Sequence, residues 1–297
     1  MLAGVDVRLG TPRKLPKPNQ LQGTVAVLDI AFASESGGRR NAFEKTTLKF
    51  IQRLGERLHA WIDHHDSDNH ARFVHDPRFV LATKQQHGAC PEMVTPAVVA
   101  RLGPVDTIVC HNDFDGLASA AKWLRNGMAS YPGCDDDARA IDTRIGPLSP
   151  TGVRFDHALR ARPRDVALQH QVLAHLYEGL SQQRRWVAID EAAATIVPRL
   201  EQSKRLARNY RALSSDLVMV EVDAHAVKYD KTELLLLGQQ LAPMSLVVSG
   251  ETATFAAAFD SGINFLERFG FSGGMPTLVS VHKSQLHEVL AKLGVAL

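Results

Sequence analysis

Two short clusters in this chain carry the side chains best suited to hold cations and move protons. Asp63-His64-His65 follows the apolar run Leu58-His59-Ala60-Trp61-Ile62, and His111-Asn112-Asp113-Phe114-Asp115-Gly116 follows Asp106-Thr107-Ile108-Val109-Cys110. A divalent cation takes hard oxygen ligands, with imidazole added when the metal is Mn, Fe, Co or Zn. Asp113 and Asp115 stand two positions apart, so an extended segment turns both carboxylates to one face. A turn into a helix can aim them at different metals instead. His111 adds a nitrogen two residues earlier. In the first cluster His64 can bind metal while Asp63 or a backbone carbonyl fixes its tautomer, which leaves His65 to face a substrate or a second metal. Asp29 ends the run Thr24-Val25-Ala26-Val27-Leu28 and is the carboxylate placed to bridge two metals. A lone Asp at a strand end is more often a turn former or helix cap. The metal reading therefore rests on both clusters standing behind apolar runs. Gly116, with Ala118, Ser119 and Ala120 after it, lets backbone approach a ligand closely, and a helix beginning there points free N–H groups at an anion.

The elements that position these groups are legible in outline. Each apolar run reads as a strand ending at the edge of a parallel sheet, where α/β proteins place their sites. A Ser- and Gly-rich loop at 34–38 and a helix at 41–57 complete a β-α-β unit between Asp29 and Asp63. Residues 66–86 are polar and rich in histidine, with one short strand at 79–82; His70, His75 and His87 read as solvated. Helices are expected at 91–101, 117–125 and 165–180, and short strands at 138–141, ending at Asp142, and at 186–189. Strands alternating with helices predict an α/β fold with a mostly parallel, doubly wound sheet. Residues 191–213 form a long basic helical stretch interrupted by Pro198. Strands at 216–222, 245–248 and 252–258, then a glycine-rich turn at 271–274, predict a smaller α/β C-terminal domain. The expected plan is a basic Pro-rich arm at 1–23, a catalytic domain at 24–190, a helical connector at 191–215 and a substrate-binding domain at 216–297.

Bulk composition narrows the classes. At 297 residues the chain has room for two domains, taking roughly 100–200 residues for each. Its 45% hydrophobic and 22% charged content is that of an ordinary globular protein. A net charge of +2 argues against both an acidic tail and a strongly basic nucleic-acid binder. Local basic clusters read as solvated faces; Arg39-Arg40, in the loop after Asp29, is the pair placed to contact phosphate. Cys90, Cys110 and Cys134 are odd in number and widely spaced, with neither a disulfide framework nor zinc-site spacing, so a reducing compartment is expected. The N-terminus lacks a charged-then-apolar signal pattern, and no apolar run approaches the ~20 residues of a membrane span. A cytoplasmic location with no membrane partner is expected.

The two clusters together resemble the DHH phosphoesterase superfamily, which includes RecJ-type exonucleases, nanoRNases, cyclic-dinucleotide phosphodiesterases and family II pyrophosphatases. The matching residues are Asp63-His64-His65 and His111-Asn112-Asp113-Phe114-Asp115-Gly116. The resemblance runs from about residue 24 onward. Its C-terminal part is similar to the DHH-associated domain, whose Gly-Gly-Gly-His-Pro run grips substrate; here the stretch is Phe269-Gly270-Phe271-Ser272-Gly273-Gly274-Met275-Pro276, with Met275 where the family has histidine. The motif order is reversed relative to the family, which implies a circularly permuted catalytic domain.

The resemblance implies two divalent cations, most often Mn²⁺ with Mg²⁺ or Co²⁺ as alternatives. His111, Asp113 and Asp29 would hold one cation; Asp115, Asp29 and His64 would hold the other. Asp142 is the preferred further aspartate, ahead of Asp76, Asp106 and Asp190. Asp63 and His65 take catalytic roles, with His65 against the phosphate. Arg39, Arg40 and the Gly273-Gly274 backbone would grip substrate. The implied activity is hydrolysis of a phosphodiester or phosphomonoester of a nucleotide or short oligonucleotide by metal-activated water, and a homodimer is compatible with it. Two alternatives stay open: a catalytically reduced nucleotide- or oligonucleotide-binding protein of the same fold, and a pyrophosphatase-like phosphoanhydride hydrolase.

Overall fold

The computed structural model describes residues 2, 4–34, 41–223 and 228–295. It divides into two compact units, the first comprising Met1–Ala33 and Asn41–Ala193, the second containing Ala194–Leu297. The fold is α/β, with a five-stranded parallel sheet in the first unit and a mixed five-stranded sheet in the second.

In the first unit the strands are β1 (Asp6–Gly10), β2 (Val25–Leu28), β3 (Leu58–Asp63), β4 (Phe79–Leu81) and β5 (Thr107–His111). Their spatial order is β1-β5-β2-β3-β4, and every pairing is parallel. Successive side chains on a strand point to opposite faces. Val25 and Val27 therefore enter one core with Leu58, Trp61 and Val109. Ala26 and Leu28 enter the other with Ala60, Ile62, Ile108 and Cys110. Both faces are covered, which explains why β2 is apolar at every position rather than alternating.

Helix α1 (Lys49–Leu54) lies on the Trp61 face through Phe50 and Ile51. The opposite face is covered by α2 (Pro96–Leu102), α3 (Phe114–Leu124), α4 (Cys134–Thr143), α5 (Pro150–Ala161), α6 (Val166–Tyr177) and α7 (Gln183–Ala194).

Three expectations are corrected here. Residues 6–10, assigned to an extended arm, form the edge strand β1, with Val7 buried and Leu9 packed on the core. Residues 138–141 lie in helix α4. The Ala-Arg-Ala-Ile run mimics a period of two, but Ala138 and Ile141 bury together three residues apart, which is helical spacing. Asp135, Asp136 and Asp137 in the first turn suit the positive end of its dipole. Residues 186–189 are likewise helical, because Trp186 and Ile189 share the buried side of α7 while Val187 is 59% exposed.

The second unit begins with α8 (Val197–Ala207), so the basic stretch is two helices, with Pro198 in the first turn of α8 where a missing N–H is harmless. Strands β6 (Arg211–Ala212), β7 (Leu217–Val222), β8 (Met244–Ser249), β9 (Thr252–Ala257) and β10 (Leu278–His282) follow in the spatial order β10-β9-β8-β7-β6. Helix α9 (Lys231–Gln239) covers one face through Leu234 and Leu235. Helices α10 (Phe265–Phe269) and α11 (Leu286–Lys292) cover the other through Phe265, Phe269, Val289 and Leu290. No helix among the described residues is long and apolar enough to cross a membrane.

Candidate metal centre

The carboxyl ends of β2, β3 and β5 are neighbours in the sheet, so Asp29, Asp63-His64-His65 and His111 are brought together by strand order alone. Asp29 terminates β2 in a left-handed conformation (φ 56°), and its N–H donates to the Ile62 carbonyl at 2.8 Å. Asp tolerates that region better than most side chains, and the turn directs the carboxylate inward. Asp113 caps α3, accepting from the Gly116 N–H at 3.3 Å. Gly116 is demanded by this turn, because a Cβ there would stand 2.6 Å from the His111 carbonyl oxygen. The close approach expected at Gly116 is therefore to the His111 backbone.

Two triads of potential ligands result. Asp29, His111 and Asp113 form one, and His64, Asp115 and Asp142 form another; within each, the candidate ligand atoms lie within 4.8 Å of one another. Asp29 also groups with His64 and His65. Nε2 of His64 is 3.2 Å from Asp29 Oδ1, 3.2 Å from Asp115 Oδ2 and 4.0 Å from Asp142 Oδ2. Nδ1 of His111 is 2.6 Å from Asp113 Oδ2 and 3.7 Å from Asp29 Oδ2. Asp142 reaches the centre from α4, although the sequence suggested a strand end.

The electrostatics are those of a site short of positive charge. Asp29 is fully buried, and among the described residues neither of its oxygens accepts a hydrogen bond. Burial pushes its carboxyl up and the charges of Asp115 and Asp113 push the same way, so it sits well above the usual carboxylate range. Burial also raises Asp113, but the His111 imidazole outweighs it and holds that carboxyl low. For Asp115, burial and Asp113 are outweighed by His64 and Lys84. This donor set fits a divalent cation: hard oxygens and imidazoles converge on a carboxylate with no donor of its own.

Supporting contacts fix the candidate ligands. His64 Nδ1 donates to the His87 carbonyl at 2.9 Å, which turns Nε2 into the cluster. His65 Nδ1 donates to Asp63 Oδ1 at 2.8 Å. Burial and Lys84 disfavour charge on His65 more than Asp63 favours it, so this imidazole is neutral with Nε2 unprotonated. The Cys90 N–H donates to Asp115 Oδ2 at 3.3 Å.

Several residues fall elsewhere. Asp76 pairs with Arg78, Asp106 with Thr24 and Asp190 with Arg154, all outside the cluster. Arg39 and Arg40 lie outside the described residues. Gly273 and Gly274 belong to the second unit, where Gly274 has φ 132°. His70 is not solvated as expected: it is half-buried with its ring edge-on to Phe32. All three cysteines are buried free thiols.

Sequence reasoning missed Lys84. It follows β4, is 2% exposed, and its Nζ stands 3.0 Å from His64 Nε2 while also contacting the Asp142 carboxylate. Burial opposes its charge, but Asp142, Asp115 and Asp29 outweigh that and hold the ammonium protonated. The one sequence signal was its position just past the end of a parallel strand. Also missed was a cavity of about 410 Å³ lined by Arg8, Lys14, Asn112, Gln169 and His170, at the ends of β1 and β5 beside His111.

No family model and no curated protein matches this sequence. Among solved structures, the chain is similar to the pGpG-specific phosphodiesterase PggH from Vibrio cholerae, with 12% identity, a TM-score of 0.42, and coverage of 80% of this chain and 81% of that one.

Proposed function

We propose that this chain is a metal-dependent phosphoesterase of the DHH type with permuted motif order. It would hydrolyse a phosphodiester or phosphomonoester of a nucleotide or short oligonucleotide. The observation that carries the reading is Asp29: a buried carboxylate without a hydrogen-bond donor among the described residues, ringed by His64, His111, Asp113 and Asp115. A buried carboxylate without a hydrogen-bond donor among the described residues, set amid acidic groups and imidazoles, is an unsatisfied group that a bound cation accounts for.

In this reading Asp29, His111 and Asp113 make one ligand set and His64, Asp115 and Asp142 the other, so at most two cations are held. The oxygen-rich donors favour Mn²⁺, Mg²⁺ or Co²⁺ over a thiolate-type zinc site. When bound, a divalent cation neutralises phosphoryl oxygens and makes water acidic enough to supply hydroxide near neutral pH.

The chain's own groups do the rest. Asp63 holds the His65 ring by the Nδ1 hydrogen bond, leaving Nε2 to take a proton from the attacking water. The cavity at Asn112 receives the nucleotide portion, with Arg8 and Lys14 facing its phosphate. The second unit, with Gly273 and Gly274, takes the part of the substrate-binding domain.

The test uses metal-free protein, added Mn²⁺ and a nonspecific phosphodiester, followed by short dinucleotides. Turnover that requires metal and disappears in the Asp113→Ala, Asp115→Ala double variant is expected. Turnover surviving in that variant would refute the mechanism, and metal binding without turnover would make the chain a binding protein of the same fold.

A further inference from the structure

A buried lysine is rare unless it is paired, and Lys84 is paired with the very groups assigned above to a cation. Its Nζ stands 3.0 Å from His64 Nε2 and contacts the Asp142 carboxylate. His64 has one lone pair to offer, because its Nδ1–H is committed to the His87 carbonyl. An ammonium hydrogen and a metal ion cannot share that lone pair. Asp115 Oδ2 lies 3.2 Å from the same Nε2, so the ammonium stands beside the His64–Asp115 pair. The contrast with the other triad is direct. Among the described residues, no lysine or arginine makes an ion pair or hydrogen bond with the carboxylates of Asp29 or Asp113, and His111 pairs only with those two.

We propose that Lys84 is a built-in cation whose ammonium occupies the His64–Asp115–Asp142 position. The chain then carries a single divalent-cation site, formed by Asp29, His111 and Asp113. The ammonium supplies a fixed positive charge where a second metal would otherwise sit. The inference rests on the metal-dependent reading of the site and changes its stoichiometry. It also accounts for how Asp142 is held near His64 before any metal arrives.

The deciding measurement is bound Mn²⁺ per chain after equilibrium dialysis of the full-length protein, read by elemental analysis, with manganese EPR to distinguish isolated from exchange-coupled ions. Wild type is expected to bind one ion with an uncoupled spectrum. Lys84→Met is expected to bind two and to show coupling. Asp142→Asn is expected to keep one ion, since the retained site does not use it, and Asp113→Asn to bind none at the same free Mn²⁺. Two coupled ions in wild type would overturn the role of Lys84 while leaving the metal-dependent reading intact. No bound ion in wild type would overturn that reading and this inference with it. If Lys84→Met does not fold even with Mn²⁺ present, wild type and Asp142→Asn still decide: one ion in each supports the inference, and two in wild type refutes it.

Discussion

Replacing Asp29 with Asn should make the metal-free protein more stable and the metal-loaded protein less so. Asn is the informative choice because Asp29 adopts φ 56°, a region that Asn enters as readily as Asp and Ala does not. In the metal-free state the wild-type carboxylate is buried with no hydrogen-bond donor and lies among other carboxylates. An unsatisfied buried polar group costs about 1–3 kcal/mol, and more when charged. The attraction of Lys84 offsets part of that, so a net gain of about 1–3 kcal/mol is expected for the variant. In a unit of this size each kcal/mol moves the melting temperature by about 2–4 °C.

Metal should reverse the order. At a free concentration a hundredfold above its dissociation constant, a ligand stabilises the folded state by about 2.7 kcal/mol. Asp29→Asn should lose most of that increment, because the amide oxygen is a weaker ligand and its NH₂ brings no charge. Differential scanning fluorimetry with chelator and then with a Mn²⁺ titration reads both effects in one experiment. Two melting curves that shift in parallel with metal would show that Asp29 is not a ligand. A variant less stable than wild type under chelator would show that the carboxylate is satisfied in the folded protein.

Gly116→Ala should lower the melting temperature and weaken metal affinity together, since its methyl group meets the His111 backbone at 2.6 Å. Overpacking of this kind costs about 1–3 kcal/mol, and calorimetry with Mn²⁺ would show whether His111 has moved. Asp156 is buried between Arg144 and Arg160, 2.8 Å from each. Burial pushes its carboxyl up, but the two guanidiniums outweigh that and hold it below 3.8. Its stabilisation is therefore complete above the unfolded value near 3.8 and is lost as pH falls through the lower folded value. Asp156→Asn should cost about 1–3 kcal/mol at pH 7, with the gap to wild type closing below pH 4 in thermal melts; a gap independent of pH would refute the ion-pair account.

The parts of the site that could be read from sequence are those whose position follows from a strand ending. Val25–Leu28 and the Ala60-Trp61-Ile62 run are apolar because both sheet faces are covered, so the strand ends, and with them Asp29 and Asp63-His64-His65, are marked in the sequence itself. Residues 138–141 of α4 read as a strand because Ala and Arg alternate over too few residues to separate a period of two from one of 3.6. Asp142 still joins His64 and Asp115, because α4 places it where a strand end would have. Lys84 could not be found that way. A lone lysine in a polar loop looks like any solvated lysine, and only the packing of the segment after β4 against α4 and the strand ends removes it from water.

That burial bears on how such a centre can fold at all. Asp29, Asp63, Asp115 and His64 are all essentially removed from solvent, and Asp113 and Asp142 stand close by. Like charges gathered in a low-dielectric interior repel strongly, and a metal that binds only after folding cannot relieve this while the chain collapses. The His111 contact balances the flank at Asp113, and at the other flank the neutral His65 ring holds Asp63 by a hydrogen bond. The middle, where Asp115 and Asp142 face His64, is the part an imidazole alone cannot balance. A covalently attached ammonium is present at every stage of folding, and Lys84 places one there. If Lys84 fills the position proposed for it, the same charge that lets the metal-free cluster form also limits how many metals it can accept.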